Sequence, residues 1–257
     1  VRNLRAADFT LREDGKPVAV TSFAVTNAAE TAGAGRSIVH VLGGQGGDPD
    51  LTLRYQLIAQ KFFARAGARD TISVVRMKDE HDEVGGSKEE MLMRLAEFRA
   101  PYGEPFNPKT SETILSRIAV VSRDLPDNNP GRKAIVCIGP AYVFDVLEPQ
   151  QREYELLWPY WVKALNASAR ANASIYVIDP TGLNGRRTLN PDGLVNQTGG
   201  SLFENTNEFE DAVDRIWGET GAYYTLEYTS PGSKREIHSI EVKTSAGDGK
   251  VRARRSR

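Results

Sequence analysis

The stretch Ser37-Ile38-Val39-His40-Val41-Leu42-Gly43-Gly44-Gln45-Gly46-Gly47 decides the fold. A short apolar run ends abruptly in glycines, and an amphipathic helical pattern begins at about Leu51. That succession is the strand-to-helix crossing of an open α/β sheet. In such sheets ligands bind outside the carboxyl ends of the strands, so the glycine loop is where function is expected. Two chemistries suit a loop of this kind: backbone N–H groups cradling a phosphate, or carboxylates and hydroxyls holding a metal ion.

Downstream the pattern repeats. Residues 51–66 read as a helix, 71–77 as a strand, 87–98 and 109–125 as helices, and 133–138 as a second buried strand. Ser87 with Glu90 three residues on forms a capping box that opens its helix. A long helix over 150–172 carries Pro159, whose missing N–H predicts a kink or a new start there. The strand 174–178 ends in the turn Asp179-Pro180-Thr181-Gly182, and Thr198-Gly199-Gly200 leads into a short strand at 201–203 and a helix over 207–217.

The two ends of the chain read differently. Residues 8–13 and 18–25 alternate polar and apolar around Asp14-Gly15-Lys16-Pro17, which predicts a β-hairpin. Residues 26–35 are small and polar without period and read as a linker. Near the other end, 223–228, 236–243 and 250–253 read as antiparallel strands separated by Ser230-Pro231-Gly232 and Ala246-Gly247-Asp248-Gly249. Too few to bury a core of their own, they are expected to join the N-terminal hairpin in a small sheet. The expected organisation is a hairpin and linker at 1–35, an α/β domain at 36–222 and C-terminal strands at 223–257. The fold class is α/β: a doubly wound, mostly parallel sheet flanked by helices, with added antiparallel strands from both termini.

Composition narrows the function classes. The 257 residues carry 33 basic and 34 acidic side chains, so the chain as a whole offers no electrostatic footprint for nucleic acid. No apolar run approaches the roughly 20 residues that span a bilayer. Cys137, the single cysteine, sits in an apolar strand and reads as a small buried hydrophobe, which leaves the redox compartment open. A first residue Val1 implies either a removed upstream segment, such as a signal peptide, or a cut from a longer protein.

The loop lacks the Lys-Ser or Lys-Thr pair of a phosphate-binding loop, and Asp48 and Asp50 at the following helix start would repel a phosphate. A dinucleotide fingerprint would require its third glycine at Pro49. Histidine chemistry is sparse. His40 lies within a strand and His238 alternates with its neighbours in a terminal strand, so both read as structural. His81 sits in Lys78-Asp79-Glu80-His81-Asp82-Glu83, a charge run that reads as a solvated loop without a recognisable ligand spacing. Neither a Gly-x-Ser-x-Gly elbow nor a His-Glu-x-x-His motif occurs. Tyr154, Leu157, Trp158, Tyr160 and Trp161 recur at helical spacing and read mainly as core, with a partner surface as the alternative. The ending Arg252-Ala253-Arg254-Arg255-Ser256-Arg257 reads as an exposed edge strand protected by charge.

Several stretches together resemble one family. They are Asn3-Leu4-Arg5-Ala6-Ala7-Asp8-Phe9-Thr10-Leu11 with Glu13-Asp14-Gly15-Lys16-Pro17, then Gly131-Arg132-Lys133-Ala134-Ile135-Val136 and Ile175-Tyr176-Val177-Ile178-Asp179-Pro180-Thr181-Gly182-Leu183. Thr198-Gly199-Gly200-Ser201-Leu202-Phe203, Tyr223-Tyr224-Thr225-Leu226-Glu227-Tyr228-Thr229, Arg235-Glu236-Ile237 and Val251-Arg252-Ala253-Arg254 complete the series. In order and spacing, across nearly the full chain, they are similar to the von Willebrand factor A (VWA) family, most closely its bacterial VWFA-related proteins. The resemblance implies a Rossmann-like VWA sheet, a protein-interaction or adhesion role without catalysis, a protein partner, and export to the periplasm or the cell exterior.

The family's usual site holds a divalent cation through an Asp-x-Ser-x-Ser motif after the first strand, a threonine from a second loop and an aspartate after a later strand. Oxygen ligands of this kind suit Mg²⁺, which can take one more from a partner's carboxylate. On this chain the motif positions fall on Gly43, Gln45 and Gly47, and the later aspartate falls on Gly139 or Pro140. Thr110 or Thr113 stands for the threonine. With the anionic ligands missing, the resemblance implies a degenerate site that needs no metal or other cofactor. Gln45, Asp48 and Thr110 are the candidate ligand-binding residues. Asp48 and Asp50 could still hold a displaced Mg²⁺ or Ca²⁺ in a divergent metal-dependent adhesion site, although a helix dipole accounts for acids in a first turn. A hydrolase using the His81 loop is the third reading.

Overall fold

A computed structural model describes residues 4–27, 35–43, 49–79, 82–100, 108–125, 132–140, 152–184, 193–232, 236–245 and 251–256. The chain opens with β1 (Phe9–Glu13), β2 (Lys16–Val18) and β3 (Val20–Asn27). The α/β region follows as β4 (Ser37–Leu42), α1 (Thr52–Arg65), β5 (Thr71–Arg76), α2 (Lys88–Glu97), α3 (Pro108–Asp124) and β6 (Lys133–Ile138). It continues through α4 (Arg152–Arg170), β7 (Ala173–Ile178), the short α5 (Leu194–Gln197), β8 (Leu202–Phe203) and α6 (Phe209–Gly221). Two terminal strands, β9 (Ala222–Tyr228) and β10 (Ile240–Thr244), complete the set.

Strands β4 to β8 form one parallel sheet in the order β5-β4-β6-β7-β8. Every residue of β4, β6 and β7 is buried, which a parallel sheet requires because helices cover both of its faces. Side chains alternate across the strands. Ile38 and Leu42 share one face with Val74, Val136 and Tyr176, under Tyr55 and Ile58 of α1, Met91 and Leu95 of α2, and Val213 and Ile216 of α6. Val39, Val41, Ile135, Cys137 and Val177 face the other way, under Leu115 and Ile118 of α3 and Leu157, Trp161 and Leu165 of α4. Burial pushes the Cys137 thiol up to about 12, which keeps it a protonated, apolar group.

The long helix runs through Pro159 as one element, so no new helix starts there. Its aromatics divide as helical spacing implies. Trp161 and Leu157 are core, Trp158 stacks on Trp161 at 5.3 Å, and Leu156 projects outward at 70% exposure. The side chain of Tyr154 lies outside the described residues. The capping box is present: Ser87 Oγ accepts from Glu90 N, and Glu90 Oε2 accepts from Ser87 N.

The terminal strands depart from the simple hairpin. The chain leaves the hairpin at Ala19, so β2 pairs with β1 while β3 pairs with β9. β10 pairs with the other edge of β1, giving a three-stranded sheet β10-β1-β2 and a separate β3-β9 ribbon. Phe9, Phe23 and Tyr224 join the two through ring contacts of 5.5 to 5.9 Å. The basic ending is not an exposed edge strand. Arg255 N donates to Gln197 O, and the buried Arg254 guanidinium donates to Ser168 O and Ala173 O, beneath the start of β7. Burial, with Arg132 nearby, lowers the Arg254 pKa to about 10.

His40 is a buried polar residue on the sheet face that α1, α2 and α6 cover. Its ring packs 4.8 Å from Phe62 and 6.0 Å from Phe63, and neither ring nitrogen has a hydrogen-bond partner. Burial lowers its pKa to about 3, so the imidazole is neutral in the fold. An unfolded histidine takes up a proton near pH 6.5, whereas the folded one does not until about 3. Stability therefore falls as pH drops below about 6.5, by at most about 1.4 kcal/mol per unit. His40→Leu is expected to raise stability by about 1 kcal/mol at pH 7.5 and to flatten this acid slope. Urea unfolding of both proteins at several pH values between about 5 and 8 measures both effects.

Candidate functional site

In the order β5-β4-β6-β7-β8 the chain steps to one side of β4 and then to the other, so the direction of winding reverses between β4 and β6. The crevice outside their carboxyl ends is the expected binding position of an open α/β sheet. A staircase of backbone hydrogen bonds sets its floor. Met77 N donates to Leu42 O, Gly43 N to Ile138 O, Gly139 N to Ile178 O, and Asp179 N to Phe203 O. The residues that leave β4, β6 and β7 are therefore Gly43, Gly139 and Asp179, at successive steps. Gly43 adopts φ +113, and a Cβ there would lie 3.4 Å from Met77 Cβ, so the backbone conformation rather than space calls for glycine.

Asp179 is the carboxylate that turn chemistry alone left without a role. It is fully buried, and its Oδ1 accepts from Thr181 N at 2.8 Å and from Thr181 Oγ1 at 2.5 Å. This closes an Asx-type turn at the end of β7. Arg54 on α1 ties the turn to the neighbouring loop, its Nη1 lying 3.2 Å from Pro180 O and 3.3 Å from Asn207 Oδ1. Gly182, at φ +70, leaves the room for that contact, since a Cβ there would fall 2.1 Å from Asn207 Oδ1. The position of Asp179 at the end of an apolar strand was the available signal for it.

Of the candidate residues, Gln45 and Asp48 lie outside the described residues, as does His81. Thr110 belongs to the first turn of α3, at the same end of the sheet as the helix starts, but its side chain is outside the described set. Thr113 is exposed one turn further on. Asp50 is exposed in a short 3₁₀ turn, Pro49–Leu51, that precedes α1.

The charge run around His81 is not a freely solvated loop where it is described. Asp82 is buried, and Arg76 at the end of β5 holds it through Nε and Nη2 at 2.7 and 2.8 Å and through its backbone N at 2.7 Å. Arg94 on α2 lies 3.5 Å away, and its Nη1 also donates to Val74 O, covering the outer edge of β5. Arg117 on α3 donates to Asp82 O. Asp82 thus gathers β5 and α2 through its carboxylate, and α3 through its backbone carbonyl, at the carboxyl-end rim.

Comparisons with known proteins add no relative: no family model matches the chain, and no curated protein matches it.

Burial acts to raise the Asp82 carboxyl, but the hydrogen bonds from Arg76 and the charges of Arg76 and Arg94 outweigh it and hold the group below the usual carboxylate range. A depressed folded pKa contributes stability above the unfolded value of about 4, and that contribution disappears as pH falls through the folded value. Asp82→Asn is expected to cost about 2 kcal/mol at pH 7 and much less at pH 3, as measured by thermal or urea unfolding at the two pH values.

Proposed function

We infer that the protein is a non-enzymatic interaction or scaffold module of VWA type, exported, whose carboxyl-end loops contact a protein partner without a bridging cation. The observation that carries this reading is the chemistry of the staircase. On the resemblance, the aspartate positions of a metal-dependent adhesion site fall on Gly43 and on Gly139 or Pro140, none of which has a side-chain oxygen, and Gly43 and Gly139 are tied into the sheet by their backbone N–H groups. Of the two buried carboxylates described at this end, Asp179 is bound to Thr181 and Asp82 to Arg76. Recognition then relies on hydrogen bonds and shape, with Gln45, Asp48 and Thr110 as the contact residues.

α1 and α6 both pack on the buried face of β4 and its neighbours, which fixes the end of β4 from which the loop departs.

Isothermal titration with Mg²⁺, Mn²⁺ and Ca²⁺ is expected to give no binding that depends on Gln45 or Asp48. Micromolar binding that disappears in Gln45→Ala or Asp48→Ala would overturn the metal-free reading in favour of a displaced adhesion cation. Replacing Gln45, Asp48 and Thr110 together by alanine is expected to weaken partner binding about tenfold or more with an unchanged melting temperature.

A further inference from the structure

Away from the crest, the turn after β1 meets the segment ahead of β10. His238 Nδ1 lies 3.0 Å from Glu13 Oε1 and 3.0 Å from Asp14 Oδ2. Glu13 is 1% exposed and His238 8%. We propose that Glu13, Asp14 and His238 bind a divalent transition-metal ion that clips the N-terminal turn to the C-terminal strand.

Strand alternation would send the side chains of Glu13 and Asp14 to opposite faces. Asp14 instead adopts φ 49, and both carboxylates reach the same ring nitrogen. That nitrogen carries at most one hydrogen, yet two carboxylate oxygens approach it equally closely. A metal takes the imidazole in its neutral form, with the Nδ1 lone pair aimed at the same point as the two carboxylates, whose charges match those of a divalent cation. The spacing also fits an ion. Donors on adjacent corners of an octahedron with bonds of about 2.1 Å stand about 3.0 Å apart. Here the three residues offer ligand atoms within 4.8 Å of one another.

The carboxylates are held in place by their surroundings. Ser230 Oγ donates to Glu13 Oε1 at 2.7 Å, and Ser239 N donates to Asp14 Oδ1 at 3.0 Å. Such outer contacts orient ligands at metal sites. One imidazole with two carboxylates selects Mn²⁺, Fe²⁺ or Zn²⁺ over Ca²⁺, which takes more oxygen ligands. Water or a partner's side chain completes the coordination. Because the ligands come from residues 225 apart in the chain, the ion binds only where the terminal sheet has formed, so binding stabilises that sheet.

The test uses chelator-stripped protein and Mn²⁺, with Zn²⁺ as a second probe. The expected result is one Mn²⁺ per chain by electron paramagnetic resonance, and a melting temperature raised by about 5 °C at a hundredfold excess over Kd. Only three histidines are present, so imidazole proton resonances locate the ion in the unmodified protein. Bound Mn²⁺ should erase the His238 signal and spare those of His40 and His81, with His81→Ala used to assign the spectrum. Glu13→Gln and His238→Asn should each weaken Mn²⁺ binding at least tenfold, while Asp48→Ala leaves it unchanged. No bound Mn²⁺ or Zn²⁺ at about 1 mM in the folded protein overturns the proposal and leaves a metal-free ion pair. Loss of the His81 signal in place of that of His238 overturns it equally.

Discussion

Burial of both faces of the parallel sheet is the constraint on which the rest of the structure depends. Strands without a solvent face do not alternate polar and apolar residues, so β4, β6 and β7 are mostly apolar and their ends are the first places where the chain can readily carry chemistry. Helices must return across each face, which forces the strand-to-helix crossings and places all of them at one end. The same burial sets the ionisation of what remains inside. His40 is held neutral among aromatic rings, and Cys137 stays a thiol.

The crest inherits its character from that frame. Gly43, Gly139 and Asp179 leave the sheet at adjacent steps, and only the last carries a side chain able to coordinate or accept. Asp179 spends one of its oxygens on Thr181, which makes it a fixed point of the turn. On the outer rim, Asp82 plays a comparable part, drawing Arg76 and Arg94 together where the edge strand β5 would otherwise be open. The two buried carboxylates described at this end, Asp82 and Asp179, therefore serve geometry first.

Much of the α/β region was legible because its signals are local and repeated. The apolar run 37–42, the capping box at Ser87 and Glu90, and the buried run 133–138 all specify themselves within a few residues. Long-range features were not. Ala19 carries no mark that the chain changes sheets there, since the pairing of β3 is decided by β9, which follows α6. Pro159 reads as a break, yet packing of α4 against α3 and the sheet overrides the lost hydrogen bond. Arg254 looks like exposed charge until the backbone carbonyls that receive its guanidinium are in place. At the candidate site the loop position was legible from the glycines. The surroundings of Asp82 and His238 depend on Arg94 and Arg117, and on Glu13 and Asp14, which are distant in sequence, and were not; Asp179 bonds within its own turn, but its burial is set by the sheet.

The pairing of β1 with β10 has a consequence for how the chain is made. β1 and β3 are synthesised first, but the strands that satisfy their remaining edges come last, after the whole α/β region. During translation the early hairpin must wait with open edges, a template for pairing with other nascent chains. Exposed Arg12 on β1 and Lys16 and Pro17 on β2 are the kind of residue that discourages such contacts. Closure of the terminal sheet thus follows synthesis of the α/β region, and it converts a vulnerable nascent edge into a seam that joins segments far apart in the described chain.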